Sequence, residues 1–346
     1  MRTIGERVRL TELGWEKDLA YEVVNEAVPD ATGDKVLVEV EACGVCYRDL
    51  IDRSGRFPFL QMPITPGHEA AGRIVDVGPN VQRWKVGDRV ASLHRDYCGE
   101  CGACERGDTC FCTRASWVLG LLADGGYARH LMVPEKALYP VPDELSSVQA
   151  AVLHCTYGSA WRGLVVAGGL EEGQRALITG ANGGVGAAGV ELAAKLGATV
   201  VAVVRDEKHR ALVTELGASE VIVDRDGSFH KHPSLEKVDV VLECVGKATF
   251  NASLRSLAVG GRMGLVGNVD PEQAALNLGF VIVNGLTIRG PGGCTPRDID
   301  GIVAVHRKHP LRFLIDRELP LSAADEAQRL VRAGGLHGRI VLVPSA

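Results

Sequence analysis

The pattern of apolar and polar positions divides the chain near residue 150. Before that point, short runs such as "KVLVEVEACGV" (35–45) and "AAGRIVDVG" (70–78) are rich in β-branched residues and broken by Gly, Pro and Asn, which predicts strands joined by turns. "VGPN" and "VGDRV" repeat the turn signal. Beyond it, "ALITGANGGVGAAGVELAAKLGATVVAVVRDEKHRALVTELGASEVIVD" (176–224) reads strand, glycine turn, helix, strand, helix, strand. Its strands are continuous apolar runs, as in a parallel sheet covered on both faces. "VDVVLECVG", "GGRMGLVG" and "GLTIRG" continue the alternation. The fold class predicted is α/β, a doubly wound nucleotide-binding domain of Rossmann type beside a β-rich domain. Near the end, "RDIDGIVAVHRKH" and "AADEAQRLVRAG" read as helices and "GRIVLVP" as a last strand that closes back onto the N-terminal domain.

The bulk numbers narrow the class. A chain of 346 residues fits about two domains. Hydrophobic content of 46% and charged content of 23% are ordinary for a globular protein. A net charge of −5 argues against a nucleic-acid or membrane surface, because both need clustered positive charge. The N-terminal "MRTIGERVRLTELGWEKDLAYEV" has no apolar stretch of signal-peptide length, and other apolar runs fall short of the ~20 residues that span a bilayer. The expectation is a cytoplasmic protein, in which ten cysteines are thiols or metal ligands rather than disulfides.

Five of those cysteines crowd into "YCGECGACERGDTCFC": Cys98, Cys101, Cys104, Cys110 and Cys112. Short loops between thiolates let four sulfurs converge on one tetrahedral ion, and Gly99 and Gly102 permit the turns. The spacing predicts a structural zinc on Cys98, Cys101, Cys104 and Cys112, with Cys110 a free thiol or a competing fourth ligand. An iron–sulfur cluster fits the spacing but not the rest of the chain. Candidates for a second, open site lie far apart: Cys46 in "GVCYRD", His68 in "PGHEAAG" and Cys155 in "VLHCTYGSAWRGL". Singly, each is an ordinary core residue.

In their order along the chain, "CGVC", "PGHE", "VGDRV", the cysteine lobe, the glycine turn and "GRIVLVP" resemble the zinc-containing medium-chain dehydrogenase/reductase family, alcohol dehydrogenase type. The resemblance implies that Cys46, His68 and Cys155 hold a catalytic zinc. Cys43 is then a packing residue, and His154 a displaced alternative to Cys155. Glu69 matches an acid close to the metal, and Asp49 a carboxylate that orients a ligand histidine. It implies a GroES-like catalytic domain of residues 1 to about 153 plus the tail from about 293, with a zinc lobe at about 95–115. The Rossmann domain lies between (154–292), and the active site in the cleft. It also implies a homodimer or homotetramer acting on a small molecule.

"TGANGGVG" follows a strand and opens a helix, the context that gives a glycine pattern its meaning. Gly180 and Gly183 allow the turn; Gly184, Val185 and Gly186 bring backbone to a pyrophosphate at the helix N-terminus. At the tip of the next strand stand Val204 and Arg205, with Lys208 beyond. A guanidinium there pairs with a 2′-phosphate, which favours NADP(H) over NAD(H), although Asp206 lies one or two residues further on. Arg339 matches a family position that touches the pyrophosphate.

Where the alcohol dehydrogenases keep a proton-relaying hydroxyl and a nearby histidine, this chain has Arg48 and Ile51. Arginine stays protonated and cannot relay a proton. "YRD" is similar to zinc-free enoyl reductases, and with "GNVDP", "LNLG" and "TPRD" it resembles the acryloyl-CoA reductase branch. Three readings follow. Hydride passes between NAD(P)H and an alcohol, aldehyde or ketone, with Tyr47 or water supplying the proton. Alternatively, hydride goes from NADPH to the β-carbon of an activated alkene and Tyr47 protonates the product. The third is a non-catalytic nucleotide sensor, against which a full set of open-site ligands argues.

Overall fold

Strands form here wherever a β-branched run has a core to cover. The computed structural model describes residues 4–15, 21–269 and 272–344. Asp270 and Pro271 of "GNVDP" lie outside the described residues. The chain divides into two compact units, Met1–Cys155 with Ile315–Ala346, and Thr156–Leu314.

In the first unit, β1 (Ile4–Leu10) and β2 (Tyr21–Ala27) pair as an antiparallel ribbon. The main sheet holds β3 (Lys35–Val45), β4 (Ala70–Val77), β5 (Arg89–Ser92), β6 (His130–Pro134), β7 (Leu138–Pro140), β14 (Ile315–Pro320) and β15 (Arg339–Val343). Val36, Val38, Val40, Cys43 and Val45 of β3 all enter one core with Leu131, Ile340 and Leu342. The last strand does close onto the N-terminal sheet: β15 pairs antiparallel with β3, Ile340 opposite Val45 and Leu342 opposite Cys43. That register brings Arg339 to the end of β3, where the chain turns into α1 (Tyr47–Arg53). Helices α2 (Gly102–Glu105), α3 (Ser147–Ala151) and α10 (Ala324–Ala333) complete the unit.

In the second unit, β8 (Arg175–Ile178), β9 (Thr199–Val204), β10 (Glu220–Val223), β11 (Val238–Glu243), β12 (Leu257–Leu265) and β13 (Thr287–Arg289) form a parallel sheet in the order β10-β9-β8-β11-β12-β13. The chain winds outward from β8 to β10, then returns to the other side of β8 as β11. Strand order reverses between β8 and β11, the place where open α/β sheets bind ligands at the carboxyl ends of their strands. α4 (Gly158–Trp161), α5 (Gly184–Lys195), α6 (Arg210–Glu215), α7 (Lys247–Ser256), α8 (Leu278–Asn284) and α9 (Pro296–Lys308) accompany the sheet.

Residues 293–314 were expected with the catalytic tail; they fall in the second unit. The reason is a buried ion pair. Arg162 Nη1 lies 2.8 Å from Asp298 Oδ2, and Arg162 Nε donates to the Pro291 carbonyl at 2.8 Å. Gly301 of α9 sits so close to Trp161 that a Cβ there would lie 2.6 Å from the indole. A buried arginine without its carboxylate would be costly, so α9 stays with α4.

Candidate active site

The cysteine lobe shows how sequence spacing becomes geometry. The sulfurs of Cys98, Cys101, Cys104 and Cys112 lie within 4.8 Å of one another. Individual separations are 3.5 Å for Cys101–Cys104 and 3.9 Å for Cys98–Cys104 and Cys101–Cys112. A disulfide would need ~2.05 Å. A tetrahedral ion with ~2.3 Å bonds holds its sulfurs about 3.8 Å apart. Backbone N–H groups of Cys98 and Arg114 point at Cys112 Sγ, and those of Glu100 and Cys101 at Cys98 Sγ. Such donors favour thiolate: the Cys104 N–H helps pull Cys101 down to about 5, while burial pushes Cys104 up to about 11. Cys110 is buried outside this group, its carbonyl accepting from Arg95 Nη1.

The second group is assembled from three distant segments of the first unit. Cys46 ends β3 and caps α1; His68 and Glu69 precede β4; Cys155 sits in a π-helical turn, Leu153–Tyr157. One donor atom from each of the four lies within 4.8 Å of the others, and Cys46 Sγ is 3.8 Å from Cys155 Sγ. Gly44 makes the approach possible, because a Cβ there would lie 2.8 Å from Glu69 Oε2.

Asp49 ties the group together. Its Oδ1 accepts from His68 Nδ1 at 2.9 Å, which leaves Nε2 as the nitrogen free to ligate. Its Oδ2 accepts from the Cys46 N–H at 3.0 Å and from the Tyr127 hydroxyl at 2.9 Å. Opposite, Arg339 Nη2 lies 3.0 Å from Glu69 Oε1, and its Nη1 donates to the Val45 carbonyl. Burial lowers His68 and so does Arg48, yet Asp49 and Cys46 outweigh them and hold it up at about 10. Burial lifts Glu69 to about 7 against the pull of Arg339. Cys46 is held well below the usual thiol range by its Cys155 hydrogen bond and by Arg339 and His68. Cys155, by contrast, is pushed well above the usual thiol range by its hydrogen bond with Cys46 and by burial. A divalent ion on these donors would displace the second ring proton of His68 and the thiol proton of Cys155.

The remaining neighbours are now placed. His154 is not in the donor group: its Nε2 faces His94 Nδ1 at 3.4 Å, and burial followed by the charge of His68 pushes it down to about 3. Cys43 is fully buried in the core. Tyr47 is the half-buried first residue of α1. Arg48 donates through Nη2 to the Leu119 carbonyl at 2.9 Å and pairs through Nε with Asp52 at 3.3 Å.

In the second unit, Gly180 follows β8, Gly183 caps α5, and Gly184, Val185 and Gly186 form its first turn. A Cβ on Gly186 would lie 2.1 Å from the Gly180 carbonyl, so only glycine lets helix and turn close. Arg205 is exposed just past β9. Asp206 caps the short turn Glu207–His209, accepting from the Lys208 N–H at 3.1 Å. Arg225, which stands past the neighbouring strand β10, donates to the Arg205 carbonyl at 3.1 Å and lies 3.8 Å from Asp206.

With this geometry in place, comparison with known proteins is decisive. A family model described as alcohol dehydrogenase GroES-like domain matches residues 32–143, and one described as zinc-binding dehydrogenase matches residues 184–306. The chain is 33% identical over 324 residues to acryloyl-coenzyme A reductase of Metallosphaera sedula, across 93% of this chain and 96% of that one. The chain belongs to the zinc-containing medium-chain dehydrogenase/reductase family. Within it, an alcohol dehydrogenase of Geobacillus stearothermophilus is 31% identical over 320 residues, 91% of this chain and 93% of that one. The solved structure of AibC has a TM-score of 0.92 at 36% identity, covering 100% of this chain and 97% of its own. The chain is thus an oxidoreductase with a GroES-like domain and a Rossmann-type domain, which leaves the nucleotide-sensor reading without support. No helix among the described residues is long and apolar enough to cross a membrane.

Sequence reasoning missed Tyr127, Arg225 and the Glu69–Arg339 pair. Arg339, expected at the pyrophosphate, lies in the structure against Glu69 and the Val45 carbonyl, beside Cys46, His68 and Cys155. Only the β3–β15 register brings it there, and no local pattern signals that.

Two predictions follow from the site. Metal analysis should give two zinc per chain, one for each donor group. Cys101→Ala should lose one ion together with thermal stability; Cys155→Ala should lose one ion, keep the fold and lose activity. A metal content unchanged in either variant would refute the ligand assignment. The second concerns Asp52, 1% exposed and lifted by burial from 3.8 to about 7 against the pull of Arg48. Between those values the unfolded chain releases this proton and the folded one keeps it, so stability falls as pH rises through the window. Asp52→Asn removes that term: its melting temperature relative to the parent should climb between pH 4.5 and 7.5. A flat difference across that range would show that Asp52 is already ionised in the fold.

Proposed function

We propose that the chain reduces the carbonyl of a small aldehyde or ketone with NADPH, and oxidises the corresponding alcohol in reverse. The observation that carries this reading is the convergence of Cys46, His68 and Cys155, with Asp49 on the far nitrogen of the histidine. Zinc on those three ligands would polarise a substrate oxygen, and the reduced nicotinamide would supply hydride. Asp49 fixes the His68 tautomer and ring plane. Arg339 pairs with Glu69 and so competes with any metal for that carboxylate. Proton supply falls to Tyr47 or water, since Arg48 cannot relay.

Cofactor choice follows from the tip of β9. Asp206, next to Arg205, accepts from the Lys208 N–H and lies near Arg225. Arg205 is left to meet a 2′-phosphate, with Lys208 close by.

A second reading, reduction of a C=C bond conjugated to a carbonyl, is favoured by Arg48. It is pinned by Asp52 and the Leu119 carbonyl where a hydroxyl relay would stand. The similarity to an enzyme named acryloyl-coenzyme A reductase supports the same reading. Assembly is proposed on a third observation. β13 is the last strand of its sheet, and beside it α8 exposes Leu278, Ile282 and Val283 at 65, 77 and 82%. An unpaired edge with such an apolar neighbour suits a second copy of this chain, joined edge to edge.

Initial rates with NADPH or NADH against benzaldehyde and an acryloyl thioester, and with NADP+ or NAD+ against a secondary alcohol, decide the chemistry. Carbonyl and alcohol turnover is expected; turnover of the thioester alone would move the assignment to the alkene. Arg205→Ala should raise the KM for NADPH about tenfold or more and leave that for NADH nearly unchanged; equal effects on both would overturn the NADP preference. Light scattering should give a dimer or larger, and Ile282→Asp with Val283→Asp should yield a smaller species. A monomeric parent would refute the assembly.

A further inference from the structure

Glu243 is the last residue of β11 and is fully buried. Its carboxylate gathers five donors. Oε1 accepts from Thr179 Oγ1 at 2.9 Å, Val245 N at 2.8 Å, Gly246 N at 2.9 Å and Thr249 Oγ1 at 2.6 Å. Oε2 accepts from Ser253 Oγ. No Lys or Arg among the described residues forms an ion pair with it, so hydrogen bonds alone compensate its burial. A buried carboxylate is costly unless each oxygen is satisfied, and a local network of this kind holds its members in one arrangement.

What the network holds is the crevice where the strand order reverses. Thr179, the residue before Gly180, donates its hydroxyl to Glu243 and accepts from the Cys244 N–H at 2.9 Å. The Glu243 carbonyl accepts from Val266 N and Gly267 N, which start the loop after β12. Three loops at the carboxyl ends of β8, β11 and β12 thus meet on one residue. The fit is close: a Cβ on Gly180 would lie 3.1 Å from Val245 Cγ2, and one on Gly267 would lie 1.9 Å from the Cys244 carbonyl carbon.

We infer that Glu243 is a positioning residue for the dinucleotide: buried beneath the crevice, it sets the Thr179–Gly180 turn and the 244–246 loop against each other. The inference rests on the NAD(P)H reading above. It separates two kinds of partner. Thr179 and the Val245 and Gly246 N–H groups belong to the loops; Thr249 and Ser253 belong to α7. Loss of a loop bond loosens the crevice, whereas loss of the Ser253 bond weakens only the helix anchor.

The test is a titration of the zinc-replete protein with NADPH and NADH by nucleotide fluorescence, beside melting temperature and steady-state kinetics. Glu243→Ala and Thr179→Val should raise the dissociation constant tenfold or more, with kcat at saturating cofactor within about threefold of the parent. Glu243→Gln, whose carbonyl oxygen can keep the Oε1 bonds, should recover most of the affinity. Ser253→Ala should lower the melting temperature without moving the dissociation constant. If Glu243→Ala does not fold, Thr179→Val and Glu243→Gln still decide. Affinity that is unchanged in Thr179→Val, or that falls equally in Ser253→Ala, would reduce Glu243 to a structural anchor and overturn the inference. A parent protein that binds neither nucleotide would overturn the cofactor reading itself.

Discussion

The Cys46–His68–Glu69–Cys155 group depends on one carboxylate. Asp49 accepts a ring proton from His68, a backbone proton from Cys46 and a hydroxyl proton from Tyr127, all at 2.9–3.0 Å. Those bonds tie the first turn of α1 to the start of β4 and to Tyr127. They also fix which nitrogen of His68 is available and where the Cys46 sulfur stands. Buried charges must be paired or bound to a metal. Here Asp49 faces His68 and Glu69 faces Arg339, so each carboxylate has its own partner. On the proposed zinc reading, the ion takes the place of protons that His68 and Cys155 otherwise hold. The Cys155 hydrogen bond, with Arg339 and His68, holds the Cys46 thiol well below its usual range, the direction that favours metal binding.

The same economy of means recurs in the nucleotide-binding unit with hydrogen bonds in place of a metal. Parallel strands end with loops whose N–H groups have no ladder partner. At the β8–β11 junction the N–H groups of Val245 and Gly246 are taken up by Glu243 and that of Cys244 by the Thr179 hydroxyl. Close approach between Gly186 and the Gly180 carbonyl then seats α5 against the turn. Both sites are thus shaped by a buried acid that need not touch substrate.

What could be read from the chain follows the range of the interactions. The four-cysteine cluster was legible because its sulfurs come from a stretch of fifteen residues, and the short loops between them bring them together. The glycine turn was legible for the same reason. Cys46, His68 and Cys155 are separated by more than a hundred residues from end to end, and only the order of the surrounding motifs picks them out. Arg339 was noticed, but its partner was not. Its contact with Glu69 is created by a strand register spanning nearly 300 positions, which no periodicity carries. Residues 293–314 were misplaced because α9 is an ordinary amphipathic helix in sequence. Its allegiance is set by one buried pair, Arg162 with Asp298.

Arg48 shows how a single side chain narrows the chemistry. A relay residue must both give and take a proton, and a guanidinium can only give hydrogen bonds. Here it is also immobilised: Nη2 on the Leu119 carbonyl, Nε against Asp52. Burial of Asp52 holds that acid near neutrality at about 7, so the cation is only partly balanced by its own neighbour. Its charge also reaches the metal group, where it acts to lower His68. A fixed positive field beside the site favours the build-up of negative charge on a substrate oxygen. It favours this equally for an alkoxide produced at a carbonyl and for the enolate that follows hydride addition to a conjugated alkene. The position of the proton donor separates the two. A carbonyl needs the proton on the oxygen that has just gained charge, whereas an alkene finally needs it on carbon. Tyr47, between Cys46 and Arg48 at the start of α1, is the side chain proposed for that proton, and its reach would separate the two readings.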